Sequence, residues 1–155
     1  MKTAVLALSV LFLLSGCFPQ KKQARLLLIS VDGLSPSSIT EKNSPEIYKI
    51  KQRSAYAEGV VGVIPTLTYP NHVSLVTGRP PSQTGITNNY VYDPKGKLKG
   101  AWQWFASDIK VPTIWDILET HGLVSAVIDW PVSVGAKATY LLPQYWSTSG
   151  PFDAK

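Results

Sequence analysis

Arg25-Leu26-Leu27-Leu28-Ile29-Ser30-Val31-Asp32-Gly33 decides how this chain folds. The run is apolar almost without interruption and breaks at Asp32-Gly33. A strand with one wet face alternates apolar and polar positions, whereas a strand covered on both faces stays apolar throughout. The run therefore predicts a buried strand of a parallel sheet. Gly59 to Ile64 (GVVGVI) and Leu123 to Ile128 (LVSAVI) predict a second and a third strand, the last ending at Asp129-Trp130-Pro131.

Helices are expected between these strands. Ser44-Pro45-Glu46 has a capping residue, a proline suited to the first helical position and a carboxylate for the positive end, so a helix opens there and fades near Arg53. Ile47 and Ile50, with Tyr48 beside them, supply its apolar face. Pro70 to Val76 predicts a short helix with Pro70 at its first position and Gly78 as terminator. Val111 to His121 predicts a third helix, closed by Gly122. Strands alternating with helices give an α/β fold, a mostly parallel sheet with helices on both faces.

The ends set the compartment and the domain limits. Lys2, the apolar run Ala4 to Leu14 and Leu14-Ser15-Gly16-Cys17 read as an export signal over residues 1–16. An apolar run of that length is too short for a permanent membrane helix. The small residues before Cys17 resemble a bacterial lipobox, and Cys17 is the only cysteine in the chain. Lipidation at Cys17 is expected, with residues 17–24 as lipidated cysteine and tether, exported and held on a bacterial membrane facing the periplasm or the exterior. Residues 25–155 read as the N-terminal portion of a catalytic domain. The stretch Gln144 to Phe152 has turn residues and aromatics but no terminal element, as at a break inside a larger domain. Without residues 1–16 the net charge falls from +5 to +4, because Lys2 is the only charged residue there. That modest surplus, with Lys95, Lys97 and Lys99 its only local cluster, shows no nucleic-acid groove.

Pro65-Thr66-Leu67-Thr68-Tyr69-Pro70-Asn71-His72 carries the chemistry. In open α/β sheets ligands bind beyond the carboxyl ends of the strands, where Asp32 and Pro65 to Thr68 are expected. Asp32 by itself is also what an ordinary turn would show. Thr68 stands at a helix start, where unpaired N–H groups and the positive dipole end favour an alkoxide and a phosphate. Its ordinary role would be to cap that helix. A threonine hydroxyl needs a metal ion to lower its pKa before it attacks phosphorus. Thr66 is the competing nucleophile, nearer the strand and farther from the dipole. His72 reads as a packed or capping residue, and His121 as a suitable helix end. Two histidines are too few for a dinuclear zinc cage.

The stretches LLLISVDG, SPEIYKI, PTLTYPNHVSLVTGRPPSQTGITNN and Tyr92-Asp93-Pro94, in that order from about Arg25 to Ala136, resemble the type I phosphodiesterase/nucleotide pyrophosphatase branch of the alkaline phosphatase superfamily. The resemblance implies an alkaline-phosphatase-like sheet, here incomplete, and two zinc ions in the complete enzyme. It implies that Asp32 ligates zinc, that Thr68 is a metal-bound nucleophile forming a phospho-threonine, and that Asn89 hydrogen-bonds a phosphoryl oxygen. Tyr69 matches an aromatic position on the leaving-group side of the substrate; simple packing is its alternative. A turn role is the alternative for Asn89.

The remaining zinc ligands of the family come from sequence past the third strand, so they lie outside this chain, and the piece is expected to be inactive alone. Asp129 matches no metal position. The region of Ile128 to Pro131 lacks the Lys-x-Arg pair of phosphomonoesterase relatives, which points to a phosphodiester or nucleotide-like substrate. A phosphomonoesterase or phosphate-group transferase on the same scaffold, and a non-catalytic lipoprotein module, are the alternatives.

Overall fold

The computed structural model describes residues 24–98 and 101–144. The export signal over residues 1–16 and the lipidation site Cys17 lie outside the described residues. The chain divides into two compact units, Met1–Gly33 and Leu34–Lys155.

In the first unit, residues 24–30 form no strand, and Asp32-Gly33 is a turn with Gly33 at φ 69°. Leu26 is 82% exposed and Ile29 70%. The strand expected at Arg25 to Val31 is therefore absent. The same correction holds in the second unit for Gly59 to Ile64, where Val61 is 97% exposed. Both runs have strand composition, but neither has a ladder partner among the described residues. Without a strand alongside to continue a ladder, β-propensity alone makes no sheet.

Among the described residues, the regular elements lie in the second unit. α1 is Pro45–Gln52, with Ser44 at the N-cap position and Pro45 at N1 as the sequence requires. The Ser44 hydroxyl accepts no bond from a helix N–H and instead donates to Ser38 O, at 3.2 Å. α1 buries no residue, and its Glu46–Lys49 ion pair at 2.7 Å is exposed, so it adds little.

α2 is Thr68–Thr77, two residues longer at its start than the proline suggests, and it ends at Gly78 in the left-handed region. Pro70 is thus its third residue. The first-turn N–H groups have no intrahelical acceptor, so a proline there costs no helix bond. A short helix, α3, spans Pro81–Thr84. α4 is Ile114–Thr120, opened by a capping box: Thr113 accepts from the Asp116 N–H, and Asp116 accepts from the Thr113 N–H at 2.8 Å.

The sheet is two short parallel strands, β1 (Ala126–Ile128) and β2 (Tyr140–Leu142), with Val127 opposite Leu141. The third expected strand is present in its last three residues. Helices plus a parallel pair give an α/β unit, although the sheet is far smaller than expected. Asp129, just after β1, is exposed, with φ 51°. The core lies in two clusters. Tyr69, Val73, Ile86 and Val132 form one, with Trp102 and Ile109 against it. Val76, Trp115, Val127 and Ala136 form the other, with Trp130 and Leu141 beside it. α2 contributes to both, so it is the element on which the second unit is built.

Candidate active site

The apolar face of α2 sets the site. Tyr69, Val73 and Val76 are spaced three and four residues apart and face the core. This rotation fixes where the first turn points its backbone and places Thr68 half-buried at the helix start. The N-cap position is Leu67, so Thr68 is the first helical residue and not the capping one. Thr66 is exposed and outside the helix.

Asn89 is brought to this same turn from a distant part of the sequence. The Tyr69 N–H, an orphan donor of the first turn, donates to Asn89 Oδ1 at 2.9 Å. That bond orients the carboxamide, since only its oxygen can accept from an N–H, and the NH₂ end remains the donor. The backbone of residue 89 is held as well, by the Gln103 N–H donating to its carbonyl at 2.9 Å. The isolated antiparallel bridge Tyr90–Trp102 continues that contact. Trp102 in turn lies 5.3 Å from the Tyr69 ring and 4.7 Å from the Tyr90 ring, both tilted. An aromatic stack thus fastens the Asn89 segment to α2.

Tyr69 itself is 1% exposed, with its ring in the core and its hydroxyl donating to Gln144 Oε1 at 2.6 Å. Its ring packs in the core, while its main-chain N–H holds Asn89. His72 is buried on the same helix, Nδ1 to the Thr68 carbonyl at 2.8 Å and its ring edge-on to Trp130 at 5.3 Å. A carbonyl only accepts, so Nδ1 carries the proton. His121 caps α4 in a similar way, Nδ1 to the Ile117 carbonyl at 2.8 Å. Asp93 organises the next loop: the Leu98 N–H donates to its carboxylate at 2.5 Å, and that amide, with smaller help from neighbouring ones, holds the carboxyl below its usual range.

Asp32 belongs to the first unit, exposed in its turn. Thr68, Tyr69 and Asn89 belong to the second, which brings these three together. Among the described residues no group of three or more His, Cys, Asp or Glu side chains gathers as a metal cage would need.

A helix start with a hydroxyl on its first residue and a fixed amide beside it suits an anion whose charge rearranges. The comparison with known proteins agrees with this class. Residues 26–155 match the type I phosphodiesterase / nucleotide pyrophosphatase family, and the chain belongs to it. Among its relatives, ectonucleotide pyrophosphatase/phosphodiesterase family member 1 of Homo sapiens is 34% identical over 69% of this chain and 12% of its own length. Venom phosphodiesterase of Macrovipera lebetinus is 31% identical over 86% of this chain and 17% of its own. Ectonucleotide pyrophosphatase/phosphodiesterase 1 of Saccharomyces cerevisiae is 31% identical over 76% of this chain and 16% of its own. The chain therefore spans less than a fifth of these relatives.

Proposed function

We propose that these residues are part of a metal-dependent phosphoric ester hydrolase, a phosphodiesterase or nucleotide pyrophosphatase, with an alkaline-phosphatase-like fold in the whole domain. Its reaction passes through a phospho-threonine on Thr68. The observation that carries this reading is the 2.9 Å bond from the Tyr69 N–H to Asn89 Oδ1, which ties an amide donor to the turn that bears the hydroxyl. In the first step the Thr68 oxygen bonds to phosphorus and its proton passes to solvent, while the bond from phosphorus to the leaving oxygen breaks and that oxygen departs with the electron pair. Water then cleaves the phosphate from Thr68. Asn89 donates to a non-bridging oxygen during both steps. The helix start adds its dipole to that stabilisation.

Asp32 and the Thr68 oxygen are each proposed as a zinc ligand, with two ions in the complete enzyme. Bound there, zinc lowers the pKa of a hydroxyl and offsets phosphate charge. We expect residues 1–155 alone to show no zinc-dependent turnover. In a protein with the full ligand set, a nucleotide diester should be cleaved far faster than the matching monoester. Equal or reversed rates would favour a phosphomonoesterase or transferase, and no turnover of either ester would favour a non-catalytic lipoprotein module.

We further propose that the protein is exported and anchored through lipid on Cys17, facing the periplasm or the cell exterior. The short apolar run and the single cysteine at the cleavage position support this. Cys17→Ser should shift the protein from the membrane fraction to the soluble one or stall its processing. Unchanged membrane association, with no lipid on the N-terminal peptide by mass spectrometry, would refute the anchor.

A further inference from the structure

We propose that Asn71 is the positioning residue of the nucleophile loop, and that Gly62 lacks a side chain so that Asn71 can reach that loop. This rests on the assignment of Thr68 as nucleophile. Asn71 sits one turn into α2, three residues after Thr68, and uses both ends of its carboxamide. Oδ1 accepts from the Val63 N–H at 2.9 Å. Nδ2 donates to the Leu67 carbonyl at 2.8 Å and to the Pro65 carbonyl at 3.3 Å. Those three partners fix which end is oxygen and which is nitrogen, because carbonyls only accept and an N–H only donates. One side chain thereby grips residues 63, 65 and 67, the backbone that leads directly into Thr68.

Packing holds that loop only in part: Val63 and Pro65 are half-buried, whereas Ile64 is 87% exposed and Leu67 38%. Beyond the Asn71 contacts, its local backbone bond is Leu67 N–H to the Pro65 carbonyl at 2.8 Å. The Leu67 carbonyl receives Asn71 twice, from the side chain and from the backbone N–H at 3.2 Å. The carbonyl that precedes the nucleophile is thus held twice by Asn71. Gly62 shows how close the approach is. A Cβ built there would lie 2.6 Å from Asn71 Oδ1, closer than real Cβ contacts come. Gly62 is not among the glycines with positive φ. Space, not backbone conformation, is what requires glycine at this position.

The test uses the catalytically competent protein that carries these residues, with Asn71→Ala, Asn71→Asp, Gly62→Ala and the Gly62→Ala/Asn71→Ala pair. Asn71→Asp keeps an acceptor for Val63 but loses both donors, and it faces two carbonyls with negative charge. Gly62→Ala leaves Asn71 intact and crowds its oxygen. Each single change should slow formation of phospho-Thr68 by about 10–100-fold, the scale of a small misplacement of a reacting group, with KM little changed. The pair should be no slower than Asn71→Ala alone, since both changes break one clamp. Independently of activity, the Val63 amide should exchange with solvent about tenfold faster or more in Asn71→Ala, while the amides of Val73 to Val76 keep their protection. Those core amides also report that each variant is folded.

Additive losses in the pair, a wild-type rate of phosphorylation in Asn71→Ala, or a Val63 amide unprotected in the wild type would each overturn the proposal. If wild-type protein carries no phosphate on Thr68, the nucleophile assignment itself falls and this role falls with it. Phosphate on Thr68 with an unaltered rate in Asn71→Ala would remove the positioning role alone.

Discussion

Thr68→Ala is expected to abolish the phospho-enzyme in the competent protein and to leave diester hydrolysis at background. Thr68 is the first residue of α2, at the positive end of the helix dipole. Thr66 lacks that advantage, being exposed and outside the helix. Both threonines are hydroxyls of equal intrinsic reactivity, so position decides between them. The substitution removes an oxygen from a half-buried position and should leave the fold intact, because the N-cap of α2 is Leu67 and its core contacts come from Tyr69, Val73 and Val76. Rapid-quench trapping followed by peptide mass spectrometry decides the question. Phosphate mapped to Thr66, or retained turnover in Thr68→Ala, would displace the nucleophile from this turn.

Asn89→Ala should lower turnover by about 10²–10³, or roughly 2.7–4 kcal/mol, the scale measured when one donor to a developing oxyanion is removed. Substrate affinity and metal uptake should change much less, since the loss is felt mainly where charge rearranges. The Asn89 carboxamide is held by the Tyr69 N–H at 2.9 Å, so alanine also leaves that first-turn amide without its acceptor. Asn89→Asp separates the two effects. It keeps an acceptor for Tyr69 and replaces the donor by a negative oxygen, so its activity should be as low as that of alanine or lower, with the α2 amides undisturbed. Rates near wild type in either variant would return Asn89 to the turn role that its Gly- and Asn-rich surroundings also allow.

Local signals were legible wherever a residue acts on its own neighbours. Ser44-Pro45 marked the start of α1 and Gly78 the end of α2, because capping positions and positive φ are decided within a turn. The start of α2 was misjudged by two residues, since proline at the third position is as acceptable as at the first. The capping box at Thr113 and Asp116 was visible in principle, but aspartate at its third position gives a weaker signal than the usual glutamate. Asn71 lay inside the most informative stretch of the sequence and still carried no readable role. Its partners are backbone groups of residues 63, 65 and 67, and no residue type announces a carbonyl.

By itself the sequence determined the family, through the order of the stretches LLLISVDG, SPEIYKI, PTLTYPNHVSLVTGRPPSQTGITNN and Tyr92-Asp93-Pro94, and with it the class of chemistry proposed for Thr68. It also determined which segments can be strands. The tertiary structure decided which of them are. Val127 finds Leu141 across a parallel register, whereas Val61 and Ile29 have no strand partner among the described residues and are exposed. A helix satisfies its backbone within its own segment, so composition and caps suffice to write it. A strand satisfies its backbone only through another strand, and an amide such as Asn89 is oriented only by the N–H of Tyr69 that the fold carries to it.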